Sequence, residues 1–167
     1  MTRGLRAAAV TAVLLYILEV GFLQQLLITL LTAIGAFVVL PVKALIAFLK
    51  GEKTTSKSQI AKAGIYALMV IASVTSVGLN NRLATANAER IIAACRRYQS
   101  ARGHLPKQLE DLVPEFLPRI PVAKVALTFN KFEYFSRGGP TSLMWYSLPP
   151  FGRRDYVFEK DRWETLD

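Results

Sequence analysis

One uninterrupted stretch, residues 61–102, most constrains what this chain can fold into. Its first part, residues 63–79 (AGIYALMVIASVTSVGL), holds no charged residue, whereas the part after Asn80 is rich in charges. The stretch contains no proline, and its last glycine is Gly78, so we predict one continuous helix. The uncharged run can cross a bilayer when a turn is added at each end. The stretch therefore predicts a helix that leaves a membrane and continues into a polar domain.

A second apolar region lies nearer the amino terminus, where residues 7–49 hold only two charged side chains. It is too long for one membrane span, which needs about 20 residues. We predict two spans, residues 7–23 and 27–48, joined by a tight turn over residues 21–25. Pro41 is expected to kink the second span because it cannot donate the helical hydrogen bond.

The basic residues around these spans predict an orientation. Residues 1–62 carry seven basic and two acidic side chains, so more than half of the net charge of +9 flanks apolar segments. The polar loop predicted over residues 51–59 (GEKTTSKSQ) belongs to this lysine-rich part. Cytoplasmic flanks of spans are rich in lysine and arginine. We therefore predict a cytoplasmic amino terminus and lysine loop, an extracytoplasmic carboxy-terminal half, and no nucleic-acid partner.

The chain is poor in residues that carry chemistry. It has a single cysteine, Cys95, and a single histidine, His104, which disfavours an internal disulfide or a zinc site. Cys95 is interpreted as a buried small side chain rather than a reactive thiol, and His104 as a surface or capping residue. Glu19, close to the predicted turn, is interpreted as an interfacial glutamate without a functional role rather than a functional intramembrane carboxylate. We predict no catalytic, cofactor-binding or metal-binding residues, and hence a protein that is not an enzyme.

The polar part of the long helix has one apolar face. Its members recur in steps of three and four residues, the period of a helix packed on a core; they are Ala84, Ala88, Ile91, Cys95 and Tyr98. Arg96 and Arg97 lie off this face. They could meet an acidic partner, although a solvated surface is the favoured interpretation.

The helix is followed by a turn and a proline-rich strap. Gly103 suits the left-handed residue after a helix, and Pro106 suits the start of a new one. Residues 107–113 are expected to form a short amphipathic helix. Residues 114–121, with three prolines, are expected to cross the long helix with Leu117 and Ile120 as anchors.

The remaining residues are predicted to form a four-stranded antiparallel meander. The alternation in residues 125–136 shifts parity, which predicts a bulge near residues 130–131. The other three predicted strands are residues 143–148, 155–159 and 162–166, with turns at residues 138–140, 149–152 and 160–161. The aromatic residues of the strands are expected to be mostly core or edge packing. With one face on the helix, the sheet gives an α+β head.

The spacing of Tyr98, Gly103 and Pro106, after a membrane helix that turns amphipathic, resembles the major pseudopilins of type II secretion and their type IV pilin relatives. The match covers about residues 61–121. The resemblance implies a long helix with a small antiparallel sheet laid on it.

The chain departs from that family at its processing site. Gly21-Phe22 resembles the cleavage point, but Leu26 stands where the family has a glutamate. An apolar span precedes this point, and the span at residues 63–79 has no such site. The acidic calcium loop of major pseudopilins has no counterpart here either. We therefore expect a pseudopilin-like head on a permanent anchor.

Three domains are predicted: a two-span hairpin with its lysine loop (residues 1–60), the third span and helical spine (61–102), and the extracytoplasmic head (103–167). The expected function is a scaffold or interaction subunit of the bacterial inner membrane with a periplasmic head, accessory to a secretion, pilus or other envelope complex. Its expected partners are the lipid bilayer and other membrane or envelope proteins; any small-molecule ligand stays open. The alternatives are a small accessory subunit of a membrane enzyme or transporter, and a filament-forming pseudopilin.

Overall fold

The computed structural model describes residues 3–24, 26–136, 139–149 and 152–166, the side chain of Leu166 excepted. Contacts divide the chain into two units, Met1–Val77 and Gly78–Asp167, with the boundary inside one long helix. The second unit is called the head below.

The first unit is helical. Its elements are α1 (Arg3–Leu18), a π-helical turn (Glu19–Leu23), α2 (Leu27–Ile34), a second π-helical turn (Gly35–Val39), α3 (Leu40–Leu49) and the first part of α4 (Lys53–Arg102). Among the described residues, three continuous helical stretches are long and apolar enough to cross a membrane: Arg3–Leu23, Leu27–Leu49 and Lys53–Arg102. They correspond to the three predicted spans. Within this unit the Tyr16 hydroxyl and Ser76 Oγ lie 2.8 Å apart, which joins α1 to α4.

The turn between the first two spans is built around Glu19. Gly21 is still helical, and the chain reverses where Gln24 and Leu26 adopt left-handed backbone angles, so the predicted turn begins too early. The fully buried Glu19 carboxylate accepts hydrogen bonds from the backbone N–H groups of Leu26 (2.8 Å) and Thr29 (3.1 Å). These donors begin α2 and have no partner within their own helix. Glu19 therefore caps α2, a structural role that the sequence did not predict.

The second span changes its winding just before Pro41. Residues Gly35–Val39 form a π-helical turn, and α3 starts at Leu40. Pro41 has no N–H to offer the carbonyl of Phe37, and its ring needs extra room on the preceding turn. The wider π-helical turn supplies that room.

The predicted polar loop at residues 51–59 is mostly helix. α3 ends in a tight reversal at Gly51, whose φ is 78°. The Gly51 N–H donates to the Phe48 carbonyl (2.9 Å) and the Glu52 N–H to the Ala47 carbonyl (2.8 Å). This is the paired bonding of a glycine-terminated helix. The long helix therefore begins at Lys53 rather than at residue 61, because the segment is polar but contains nothing that breaks a helix.

The apolar face predicted on the long helix forms the core of the head. Ala84, Ala88, Ile91 and Cys95 are completely buried, and Tyr98 packs against the same cluster at its edge. Small residues at the first two positions let neighbouring elements approach the helix axis closely. This face is covered by two completely buried leucines, Leu112 from the segment that follows α4 and Leu143 from a strand of the sheet.

The end of α4 follows the prediction. Gly103 has a φ of 81°, and its N–H donates to the Gln99 carbonyl (2.8 Å). The predicted helix at residues 107–113 is a single 3₁₀ turn, Leu109–Leu112, capped reciprocally by Gln108 and Asp111. Its leucines are buried, whereas Val113 is exposed. Leu117 and Ile120 in the strap pack on the core as expected.

The sheet is a four-stranded antiparallel meander in the order β1-β2-β3-β4, as predicted. Its strands are β1 (Glu133–Phe135), β2 (Ser142–Leu148), β3 (Gly152–Val157) and β4 (Arg162–Leu166). Gly138, Pro150 and Phe151, in two predicted turns, lie outside the described residues. The aligned residues Tyr134, Leu143, Tyr156 and Trp163 belong to the core cluster or pack against it.

The prediction of a long first strand is wrong. Residues 122–130 form an irregular loop, called the apolar loop below, and β1 begins only at Glu133. The Ala123 N–H donates to the Asn130 carbonyl (2.8 Å), and Phe129 has a left-handed φ of 50°. The alternating pattern therefore belongs to a closed loop, and no bulged strand exists at residues 130–131.

Arg96 clamps the last hairpin onto α4. Its Nη2 donates to the Phe158 carbonyl and to Asp161 Oδ1, each at 2.8 Å. The Tyr156 hydroxyl donates to the same carboxylate. Arg97 donates to the Phe116 carbonyl (3.0 Å). Arg97 is exposed and the Arg96 side chain is 37% exposed, which fits the interpretation of a solvated surface, and each arginine also holds another part of the head.

Candidate functional site

The head contains an open groove of about 590 Å³ between α4 and one face of the sheet. From α4 it is lined by Asn81, Arg82, Thr85, Ala86 and Glu89, and from the strands by Trp145, Ser147, Arg154 and Thr165. The strand residues share a face because Trp145 is paired with Arg154, and Arg154 with Thr165, across three strands.

Two buried polar atoms at this groove have no hydrogen-bond partner among the described residues. They are the indole Nε1 of Trp145 and the amide Oδ1 of Asn81. Trp145 is only 1% exposed. An indole N–H is a donor and an amide oxygen an acceptor, and buried groups of this kind are nearly always paired with protein or water. Both atoms are buried beneath the groove surface, so they are unsatisfied polar groups next to the groove rather than groups exposed to a ligand.

The rim of the groove is charged. Arg82 and Arg154 contribute two positive side chains and Glu89 one negative side chain, all three exposed. Thr85 and Thr165 add hydroxyl groups on opposite walls. This rim suits a polar ligand with both kinds of hydrogen-bonding group.

A buried lysine lies behind the groove. Lys124 is 1% exposed, and its Nζ donates to the Ser147 carbonyl (3.0 Å) and lies 5.7 Å from the centroid of the Trp145 ring. Burial lowers the pKa of Lys124 to about 8, because a charged ammonium group is poorly solvated there. Lys124 thus fixes the backbone of Ser147 and contacts Trp145 from within the head.

The side chains weighed as reactive in the sequence do not meet in the groove. Cys95 is completely buried in the core, and burial raises its pKa to about 12. His104 is exposed and packs its ring 5.8 Å from that of Tyr98, while Nδ1 lies 2.9 Å from the Leu105 carbonyl. Within the described ranges no group of three or more His, Cys, Asp or Glu side chains is placed to hold a metal ion.

The outer face of the sheet carries a second polar row. Glu133, Asp155 and Glu164 align across β1, β3 and β4, with Met144 between the first two. Burial raises the pKa of Asp155, assisted by the nearby Glu164. Glu164 is engaged by Lys160 and Arg162, both at 2.9 Å. This row is tied into the sheet and does not form a cleft with the groove.

The residues of the groove were not singled out in the sequence as a site. The sequence predicts Trp145 as a packing residue, and its side chain is buried. Whether its indole nitrogen finds a hydrogen-bond partner depends on which residues of α4 lie opposite. The available signal was the period of two that puts Trp145 and Ser147 on one face of β2. Their meeting with Asn81 depends on the packing of the sheet on the helix, which no local pattern encodes.

Comparisons with known protein families, with curated proteins and with solved structures find no match for this chain.

Proposed function

We propose that this protein is a membrane-anchored interaction subunit whose extracytoplasmic head binds a partner protein through the polar groove. The observation that carries the proposal is that α4 combines an apolar part long enough for a membrane span with a part that belongs to the head. One helix contains the uncharged run at residues 63–79 and, beyond it, the buried face of the head. A helix of this kind belongs in part to a membrane anchor and in part to a folded domain.

Orientation follows from charge. Arg3 and Arg6 precede the first span, and lysines surround the reversal at Gly51. With these segments in the cytoplasm, three crossings leave the head on the other side, which in the bacterial inner membrane is the periplasm. The pseudopilin resemblance of residues 61–121 is consistent with this placement and remains part of the proposal.

Two contacts favour a permanent anchor over a filament subunit that has been cleaved. Glu19 lies on one side of Gly21-Phe22, and its partners Leu26 and Thr29 lie on the other. Cleavage there would separate the cap from α2. The bond between Tyr16 and Ser76 would be lost with the same segment.

The groove favours a polypeptide as the partner. A peptide presents backbone carbonyl and N–H groups that can bond to the hydroxyl groups of Thr85 and Thr165 on the two walls. The exposed Arg154 and Glu89 can select for charged side chains beside it. We propose binding rather than catalysis as the role of this site.

The test is photo-crosslinking of the full chain in its native membrane. A benzophenone amino acid at Thr165, in the groove, is expected to form an adduct with one partner protein, and Arg154→Ala is expected to weaken it. The matched control is the same probe at the exposed Lys107, which does not line the groove. The proposal is wrong if Thr165 forms no adduct, or if Arg154→Ala leaves the adduct unchanged.

The alternative of an accessory subunit of a membrane enzyme or transporter is favoured by one observation. The first unit has an apolar cavity of about 450 Å³ beside the π-helical turn Gly35–Val39, and Gly35, Ala36 and Tyr66 form part of its lining. A helix of a larger membrane protein would fit there. Adducts from a probe at Thr32, another lining residue, with none from Thr165, would support this alternative instead.

A further inference from the structure

The apolar loop presents aliphatic side chains that stay half or more exposed among the described residues of the head. Val122, Val125 and Leu127 are 50%, 70% and 68% exposed, respectively. They lie within nine residues of sequence, so they form a group rather than scattered surface residues. A contiguous exposed apolar patch commonly marks a surface that contacts a protein or a membrane.

The loop is held in one conformation. Its ends are closed by the bond from Ala123 to Asn130, and the Asn130 side chain donates to the Ala126 carbonyl (3.0 Å). Lys124 points inward to the Ser147 carbonyl. Ala123 and Lys124 are buried while their neighbours Val122 and Val125 are exposed. Hydrogen bonds and the buried residues of the loop therefore hold the aliphatic side chains in their exposed positions.

Two asparagines of α4 place the loop along the helix. Asn80 makes a paired contact with the backbone of Val125: its Oδ1 accepts from the N–H (3.1 Å), and its Nδ2 donates to the carbonyl (3.4 Å). Asn87 Nδ2 donates to the Val122 carbonyl (2.9 Å). Asn80 directly follows the uncharged run that ends at Leu79. The most exposed part of the loop is thus fastened to the residue where α4 becomes polar.

The charge beside the loop complements a phospholipid surface. Lys131, directly after the loop, is exposed. Long basic side chains near the end of a span reach the phosphate level. Aliphatic side chains beside such a residue match the boundary between headgroups and acyl chains.

We propose that Val125 and Leu127 insert into the interface of the bilayer leaflet from which α4 emerges, so that the head has a second membrane contact besides α4. This inference rests on the proposed membrane anchor. It is separate from the groove, which is lined by other residues. A second contact fixes the rotation of the head about the helix axis and hence the direction in which the groove opens.

The test uses the full chain in nanodiscs, one chain per disc, with the environment-sensitive dye NBD at single introduced cysteines. Leu127→Cys reports the loop, and Leu68→Cys, exposed within the uncharged run, reports the anchor. Phe135→Cys is the matched control, since Phe135 is also an exposed apolar residue of the head. Its neighbour Ser136 is bonded to Lys107 beyond the far end of α4. The unmodified chain serves as the blank because Cys95 is buried.

The readout is quenching of NBD by phosphatidylcholine that carries a doxyl group near the headgroup. We expect loss of emission and a blue shift at Leu127, loss of emission at Leu68, and neither at Phe135. Quenching at Leu68 without quenching at Leu127 overturns the inference and leaves the anchor intact. A blue shift at Leu127 without quenching also overturns it, since protein then covers the loop. No quenching at Leu68 contradicts the anchor itself.

Discussion

Burial shifts the pKa values of Lys124 and Cys95 in opposite directions, and the two residues affect stability differently. The pKa of Lys124 falls from 10.5 to about 8, and that of Cys95 rises from 9.0 to about 12. In each case the neutral form is favoured because the charged form loses its hydration. A neutral thiol is the ordinary state at pH 7. A buried ammonium group at that pH is costly, and it is offset in part by the Ser147 carbonyl and the Trp145 ring.

The first prediction concerns Lys124→Met. Between pH 8 and 10.5 the unfolded chain binds more protons at this site than the folded chain, so the stability of the wild type rises with pH. The gain is at most about 3 kcal/mol, from the shift in pKa. The unfolding midpoint of the wild type is therefore expected to rise relative to that of Lys124→Met across this range, measured by tryptophan fluorescence.

Cys95 does not disturb this comparison. Its raised pKa gives the opposite trend, a loss of stability between about pH 9 and 12, but it is present in both proteins and cancels in the difference. A difference between the two midpoints that does not change with pH would show that Lys124 is not held in a desolvated environment.

At the scale of elements, the first span hairpin depends on Glu19. The Glu19 carboxylate is fully buried, and without it the N–H groups of Leu26 and Thr29 would lose their side-chain partner. The second prediction is that Glu19→Ala destabilises the first unit by about 1–3 kcal/mol for each N–H left unpaired. Glu19→Gln keeps one acceptor oxygen and is expected to have a smaller effect.

The control for this prediction is Glu52→Ala, which removes an exposed carboxylate at the next reversal of the same unit. It is expected to change the unfolding midpoint little. The measurement is the denaturation midpoint in mixed micelles. Equal effects of Glu19→Ala and Glu52→Ala would refute the capping role of Glu19.

The third prediction concerns the clamp between α4 and the last hairpin. Arg96→Ala removes bonds to the Phe158 carbonyl and to Asp161, and is expected to destabilise the head because the bond to the Phe158 carbonyl is partly buried. Hydrogen exchange of residues 156–163 should increase. Asp161 has a left-handed φ of 52° in this turn, and loss of Arg96 leaves its carboxylate with the Tyr156 hydroxyl alone, so the turn is expected to open more often.

Arg102→Ala is the matched control for the clamp. Its ion pair with Glu115 (2.9 Å) joins two well-exposed side chains, and such pairs contribute about 0–1 kcal/mol. If Arg102→Ala destabilised the head as much as Arg96→Ala, the prediction that Arg96 has a special role in holding the last hairpin would be wrong.

Sequence periodicity predicted the elements whose bonds are local or whose faces are buried. The stripe from Ala84 to Tyr98, the left-handed Gly103 and the order of the four strands follow from such patterns. Residues 51–59 show the limit of composition, since lysine, serine and threonine indicate polarity but do not break a helix. The alternating residues 125–132 mimic a strand, yet the Val125 backbone bonds to the side chain of Asn80, a partner distant in sequence.

The candidate groove could be predicted less well than the fold. The buried state of Trp145 follows from its place on a strand. The meeting of Trp145 with Asn81, and the position of Lys124 behind it, depend on how the sheet packs on α4. The cap formed by Glu19 was missed for a related reason: a lone carboxylate near a turn can face solvent or bond to backbone, and only the three-dimensional turn decides.

For the whole molecule, the proposals reduce to one statement: α4 crosses the membrane and leaves the head outside the cytoplasm. The two units carry separate tasks under this view, anchoring in the first and binding in the second. The groove and the apolar loop both lie in the second unit, and their proposed roles require the head to be at the outer surface of the membrane.

The most direct test is the accessibility of single cysteines in intact spheroplasts to a maleimide that cannot cross the membrane. Cys95 is buried with a raised pKa and provides an unreactive background. We predict that Lys107→Cys, in the head, reacts without permeabilisation and that Lys57→Cys, at the start of α4, reacts only after it. Modification of both cysteines from the same side would contradict the claim that α4 crosses the membrane.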